Sequence, residues 1–168
     1  SLDFDGKSFV SVLEDKTQRH NDTVFAVNTT HGIYSGSEAF GIRAATDGRW
    51  LYIRNLHPSE QFQNVITHRN NVFISWKNAS SHFASQQVAR YLRRPAEELY
   101  ELKKDPWCLR NIAGKASTGD IQGKLSASLD AWMKQQGDQG DATERSAKER
   151  QPQVKPWSKK GPGYLVSH

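Results

Sequence analysis

Apolar and polar positions alternate most regularly over Gly41–Leu56, GIRAATDGRWLYIRNL. A period of two puts Ile42, Ala44 and Thr46 on one face of a strand, and Leu51, Ile53 and Asn55 continue that face on a return strand. Asp47-Gly48 between them supplies the turn. The opposite face, Trp50, Tyr52 and Arg54, is aromatic and basic, so both faces of this hairpin can be covered. A two-stranded ribbon is marginal alone, and Glu98–Leu102, ELYEL, is the predicted third strand.

Other segments are less regular. In Thr23–Thr30, TVFAVNTT, the run Val24–Val27 is continuously apolar, which suits a strand covered on both sides. It is either a strand of a larger sheet whose other members lie outside these residues or a fourth strand beside the hairpin. Phe9, Val12 and Leu13 share one side of a short helix after Gly6. Phe62, Val65 and Ile66 pin a polar connection over 57–71, and Val72–Trp76 reads as a short strand or an apolar anchor. Ser80 or Ser81 caps a helix that runs to about Arg93 with Ala84, Val88, Tyr91 and Leu92 as its stripe. Arg90, Arg93 and Arg94 form its basic end, read as an ordinary C-terminal turn, and Pro95 stops it.

After the third strand, Asp105-Pro106 opens a turn, and Trp107, Leu109 and Ile112 are expected to seal the sheet edge. A last helix, about Asp120 to Gln135, carries Ile121, Leu125, Leu129, Trp132 and Met133 on one face, with Asp120 as cap and Gly137 as stop. That face is expected to lie across the sheet. The fold class is therefore α+β, a small antiparallel sheet packed against a C-terminal helix. Beyond Gly137, Gly, Pro and charge dominate, which predicts an extended arm over 138–168.

Composition narrows the chemistry. Hydrophobic residues make up 36% of the chain, but five Trp, five Tyr and seven Phe supply bulk for a core. The net charge of +5 is uneven: residues 1–144 hold 17 basic and 17 acidic side chains, residues 145–168 six against one. The aromatics are not interleaved with those charges as in a base-stacking strip, so a solvated tail is favoured over a nucleic-acid binder. One cysteine, Cys108, excludes an internal disulfide and a Cys-rich zinc site, and with no activating His near it in sequence it reads as a packing residue. His20, His31, His57, His68 and His82 are scattered at spacings that select no metal. No hydrolase, phosphate-loop or dinucleotide motif occurs, and no run of about twenty apolar residues marks a membrane span. Asn21-Asp22-Thr23, Asn28-Thr29-Thr30 and Asn78-Ala79-Ser80 are glycosylation sequons that matter only in a glycosylating secretory pathway. His31, in the Gly- and Ser-rich loop after the apolar strand, is a candidate site residue by position.

Three strings carry a family resemblance: VFAVNTTHGIYSGSEAFGIRAATDGRWLYIRNLHPSEQFQN, RPAEELYELKKDPWCLRNIAG and LDAWMKQQGD. Over roughly residues 5–140 the chain resembles the C-terminal part of a sulfatase, nearest the heparan N-sulfatase (sulfoglucosamine sulfohydrolase) type. The match lies in the hairpin with Arg43, in the ELYEL-xx-DP-xxx-NIA block and in the closing helix with Trp132. The resemblance implies an alkaline-phosphatase-like enzyme of the periplasm, lysosome or secreted space. Its larger N-terminal α/β domain would hold a calcium ion and a formylglycine made within C/S-x-P-x-R, whose hydrated aldehyde attacks sulfur.

Cys108 is followed by Leu109, Arg110, Asn111 and Ile112, so it does not carry over as the formylglycine, and the metal-ligand motifs are likewise not found. The resemblance thus implies residues 1–40 as the end of a catalytic domain, 41–137 as the C-terminal subdomain and 138–168 as a basic tail. On this view the chain completes the cleft for a sulfated sugar without carrying the catalytic or metal residues, and its partner is the N-terminal sulfatase domain, with neither nucleic acid nor membrane. The strand at Thr23–Thr30 would run in the catalytic domain's sheet. The loop behind it would face substrate, with His31 touching a sulfated sugar and Tyr34, Ser35, Ser37 and Glu38 shaping the pocket. Arg43 is expected to be a buried structural arginine. The competing reading is a non-catalytic module that binds a protein or an anionic glycan. The two differ at Phe9, Val24, Phe25 and Val27, exposed in the first and internally covered in the second.

Overall fold

The structure is a computed structural model that describes residues 6–18, 20–29, 40–62, 70–146 and 149. A short helix, α1 (Val10–Leu13), precedes strand β1 (Val24–Asn28). The hairpin β2 (Ile42–Thr46) and β3 (Trp50–Asn55) follows, then helices α2 (Asn71–Asn78) and α3 (His82–Leu92), and strand β4 (Glu97–Glu101). A 3-10 turn at Ala116–Thr118 leads into α4 (Gly119–Gln135), and α5 (Asp141–Arg145) follows it. The four strands form one antiparallel sheet in the order β1-β2-β3-β4. The fold is α+β, a small antiparallel sheet packed against helices, as the periodicity predicts.

The hairpin turns at Gly48, whose φ of +85° suits a residue without Cβ. The Asp47 carboxylate locks the turn by accepting from Arg49 N at 2.9 Å and Trp50 N at 2.7 Å. Helix α4 covers the aromatic and basic face of the hairpin. Leu125, Leu129 and Met133 pack on Ala45, Tyr52 and Leu99, all buried, and each buried Leu contributes about 1.5–3 kcal/mol by leaving water. Phe25 of β1 stacks on Trp132 at 5.1 Å with planes 9° apart.

Polar groups under the helix are satisfied. Arg54 reaches Asp130 at 2.5 Å and Ser126 at 2.8 Å, and the Tyr52 hydroxyl donates to Glu97. The alternate face, with Ile42, Ala44, Leu51 and Ile53, is half-buried. The apolar face written most plainly in the sequence is therefore not the one that takes the helix.

Several expectations are corrected. β1 takes the place of a fourth strand beside the hairpin: it pairs with β2 through all five residues, from Val24 opposite Thr46 to Asn28 opposite Ile42. Val72–Trp76 is helical, because the Asn70 side chain caps α2 by accepting from Val72 N and Phe73 N. A five-residue apolar run cannot by itself separate strand from helix. Trp107 and Leu109 do not seal the sheet edge and are 79% and 41% exposed.

That edge is closed instead by Asn111. Its Oδ1 accepts from Leu99 N at 2.9 Å, its Nδ2 donates to Glu97 O at 3.0 Å, and Ile112 N donates to Leu99 O at 3.0 Å. Helix α4 starts at Gly119 after the 3-10 turn, with Thr118 at the cap position and Asp120 in the first turn. Gly137 ends it at φ +67°. The folded chain continues beyond Gly137 through α5. Ser81 caps α3 by accepting from Ala84 N. The aromatics Phe40, Phe62, Phe73 and Tyr91 form a second cluster that holds α2 and α3 against the sheet.

Candidate functional site

His31, Tyr34, Ser35, Ser37 and Glu38, the residues predicted to meet a sugar, lie outside the described residues, as do Val65, Ile66 and the basic residues beyond 150. What the structure does describe is how the two stems that flank residues 30–39 are held. One stem is Asn28 at the end of β1; the other is Phe40-Gly41-Ile42 entering β2.

Arg43 joins the stems. Its Nη1 donates to Ile42 O at 3.1 Å and to Asn28 O at 3.4 Å. Its Nε and Nη2 meet Asp138 at 2.5 and 3.2 Å, and Nη2 also meets Glu144 at 2.7 Å. The guanidinium is 1% exposed, so three elements remote in sequence converge on one buried charge. Burial opposes that charge, but the hydrogen bonds and fields of Asp138 and Glu144 outweigh it and the Arg43 pKa is raised. Burial likewise pushes the Asp138 carboxyl upward, yet Arg43 and the Gly140 N–H hold it below its ordinary range. Glu144 lies against Gly41 so closely that a Cβ there would stand 2.6 Å from its Cγ, which makes Gly41 part of the clamp. The expectation that Arg43 is a structural arginine holds. Asp138 and Glu144 fall in the segment expected to be an extended arm, because a carboxylate that pairs 95 or 101 residues away leaves no periodic trace.

A second feature is apolar exposure on β1 and α1. Phe9 is 60% exposed, Val24 54% and Val27 46%, and Val10 and Leu13 of α1 are also exposed. Phe25 is half-buried against Trp132. A third feature is a cleft of about 630 Å³ between α3 and the β4 end of the sheet, lined by Trp76, Phe83, Arg90, Arg94, Glu98 and Trp107 among others.

The donor set for a resident calcium ion does not fit here. Among the described residues no three His, Cys, Asp or Glu side chains are grouped to hold a metal. The buried carboxylates are already engaged, Asp138 and Glu144 by Arg43 and Glu98 by Arg94. Cys108 is half-buried, and burial together with the nearby Asp105 and Glu98 charges raises its thiol pKa, the opposite of nucleophile activation. No helix among the described residues is long and apolar enough to cross a membrane.

Comparison with known proteins gives a consistent direction. No family model matches the chain. An ulvan-active sulfatase of Formosa agariphila is 34% identical over 136 residues, which are 81% of this chain and 26% of that protein. A second ulvan-active sulfatase of the same organism is 29% identical over 108 residues, 61% of this chain and 18% of that protein. The chain thus spans about a quarter or less of the length of these relatives. A crystal structure of a candidate sulfatase from Bacteroides thetaiotaomicron superposes with a TM-score of 0.52 at 16% identity, covering 93% of this chain and 24% of that one, a likeness of fold alone.

Proposed function

With homology to a segment of sulfatases as the premise, we propose that this chain is the C-terminal part of a sulfuric ester or sulfamate hydrolase acting on sulfated carbohydrate. It completes the substrate cleft and leaves the chemistry to an N-terminal catalytic domain. The resemblance to the heparan N-sulfatase type keeps a sulfamate in view, while the names of the relatives make ulvan the first substrate to try. In this reading the loop with His31, Tyr34, Ser35 and Glu38 touches the sulfated sugar, and Arg43 fixes both of its stems. The catalytic domain, with its calcium and formylglycine, belongs to the periplasm, the lysosome or the secreted space.

The observation that carries the reading is the exposure of apolar side chains on β1, Val24 and Val27, and on α1, Phe9. A strand with large apolar side chains in water is a surface awaiting a partner. The interaction-module reading expects Phe9, Val24, Phe25 and Val27 to be internally covered; Phe25 is half-buried on Trp132, whereas the other three are exposed.

Binding tests it. A Formosa agariphila ulvan-active sulfatase from which the matched segment has been removed is titrated with this chain in an ultracentrifuge. A complex is expected, and Val24→Lys weakens it at least tenfold, since a charge desolvated in an apolar contact is heavily penalised. Val24 is exposed, so the variant's own melting temperature stays within a few degrees. No complex, when the relative's own excised segment does bind, would overturn the reading.

A further inference from the structure

The cleft between α3 and β4 has no part in that reading. It lies at the opposite edge of the sheet from β1, about 14 Å away by three inter-strand spacings. Its rim is apolar and open: Trp107 is 79% exposed, Phe83 58%, Trp76 46% and Leu109 41%.

Trp107 stands on a turn that is firmly held. The Asp105 carboxylate accepts from Leu109 N at 2.9 Å and Arg110 N at 2.8 Å, and Asp105 O accepts from Cys108 N at 3.0 Å. Arg90 reaches across from α3 and donates to the carbonyls of Cys108, at 3.1 Å, and Leu109. The patch thus carries a fixed aromatic projection beside a recess of about 630 Å³, a size that admits a bulky side chain.

Charge gives this patch no preference for an ion. Arg90 and Arg94 are offset by Glu98 and Asp105. Arg94 meets Glu98 at 3.0 Å, and Glu98 is further engaged by Asn55 at 2.8 Å and Tyr100 at 2.5 Å. The Leu109 N–H first, then the Arg110 N–H and the charge of Arg90, hold the Asp105 carboxyl below its ordinary range against burial. What is left to a partner is apolar surface. A patch with balanced charge meets its own image without the repulsion that a patch of one sign would suffer. A two-fold contact needs that balance, because the same residues face each other from both sides, and it needs a projection and a recess on every copy.

The exposed area also suits a second copy. With aromatic side chains of about 150–250 Å² each, Trp107, Phe83 and Trp76 together with Leu109 present roughly 500 Å² of apolar surface. A standard interface buries about 800 Å² on each partner, a little over half of it non-polar. One copy of the patch supplies that apolar share.

We propose that the cleft is a homodimer contact, in which a second copy of this chain docks about a two-fold axis and each Trp107 enters the other's recess. The contact uses the β4 edge and leaves β1 and α1 free for the catalytic domain proposed above.

Sedimentation of the 168-residue chain over a concentration series tests it. A dimer is expected with a dissociation constant in the micromolar range or tighter, the span of interfaces of this size, and without larger species, because a two-fold contact closes on itself. Trp107→Ala is expected to weaken the dimer about tenfold or more, the scale of losing an aromatic anchor. Trp107→Glu is expected to leave only monomer, since each copy would set a carboxylate in the other's apolar recess. Trp107 is exposed in the single chain, so both variants keep the wild-type circular dichroism, and Val24→Lys keeps the dimer. A chain that stays monomeric up to about 100 µM, a mass that grows without limit, or a dimer that Trp107→Glu leaves intact overturns the proposal. So does a dimer lost in Val24→Lys instead, which would move the contact to β1. So does a Trp107→Glu variant that binds the truncated sulfatase less tightly, which would give the cleft to the catalytic domain. A monomer leaves the association with the truncated sulfatase untouched, and absence of that association leaves the dimer untouched, so the two readings fail separately.

Discussion

At the scale of single residues, Arg43 carries the most consequence. It is a cation with 1% exposure held by two carboxylates and two carbonyls. Removing one partner of such a cluster strands the others, so Arg43→Met is expected to destabilise the chain by about 3–5 kcal/mol. The triple variant Arg43→Met/Asp138→Leu/Glu144→Leu recovers most of that loss in urea denaturation, because no charge is then left buried. Failure of the triple variant to recover would show that Arg43 acts through shape rather than charge.

Acid probes the same chemistry. Asp138 and Glu98 have folded pKa values below their ordinary 3.8 and 4.5, in each case against burial and because of Arg43 or Arg94 and further hydrogen bonds. A lowered folded pKa contributes stability that is present above the unfolded value and is lost as pH falls through the folded one. The urea midpoint is therefore expected to hold steady above about pH 5.5 and to fall below about pH 4.5. A midpoint that rises on acidification would contradict these assignments.

At the scale of elements, the two edges of the sheet differ. The β4 edge is closed by Asn111, whose amide imitates a neighbouring strand, while β1 presents Val24 and Val27 to solvent. Asn111→Ala leaves the Leu99 N–H buried without its acceptor, a loss of about 1–3 kcal/mol. Hydrogen exchange should accelerate at Leu99 well before it does at Ala45, and equal acceleration at both would mean a global effect instead.

What the sequence made legible follows from range. The hairpin, the third strand, α3 and α4 depend on alternation, caps and stops within a few residues, so Asp47-Gly48, Ser81, Pro95 and Gly137 announce them. Trp107, Asn111 and the acidic pair at 138 and 144 depend on what lies across the fold, and nothing local distinguishes a sealing Trp from a displayed one. The face chosen by α4 was hidden for a related reason. Tyr52 and Arg54 read as a face that can be covered, but what covers it depends on Glu97, Ser126 and Asp130, which arrive from elsewhere to satisfy them.

At the scale of the whole molecule, a four-stranded sheet with one helix across it is complete enough to fold around Tyr52 and Leu99, yet it displays apolar side chains at β1 and α1. The two sulfatases it resembles match it over about a quarter or less of their own length. Both facts fit the function proposed above, in which the chain is one wall of a sulfatase cleft. Sulfate release from ulvan tests this most directly. The assay compares this chain alone, a Formosa agariphila ulvan-active sulfatase lacking the matched segment, and the two mixed, with the relative's own excised segment as the reference for rescue. The account predicts no release by the chain alone and restored release in the mixture. Release by the chain alone, or no restoration where the reference segment restores it, would contradict the account.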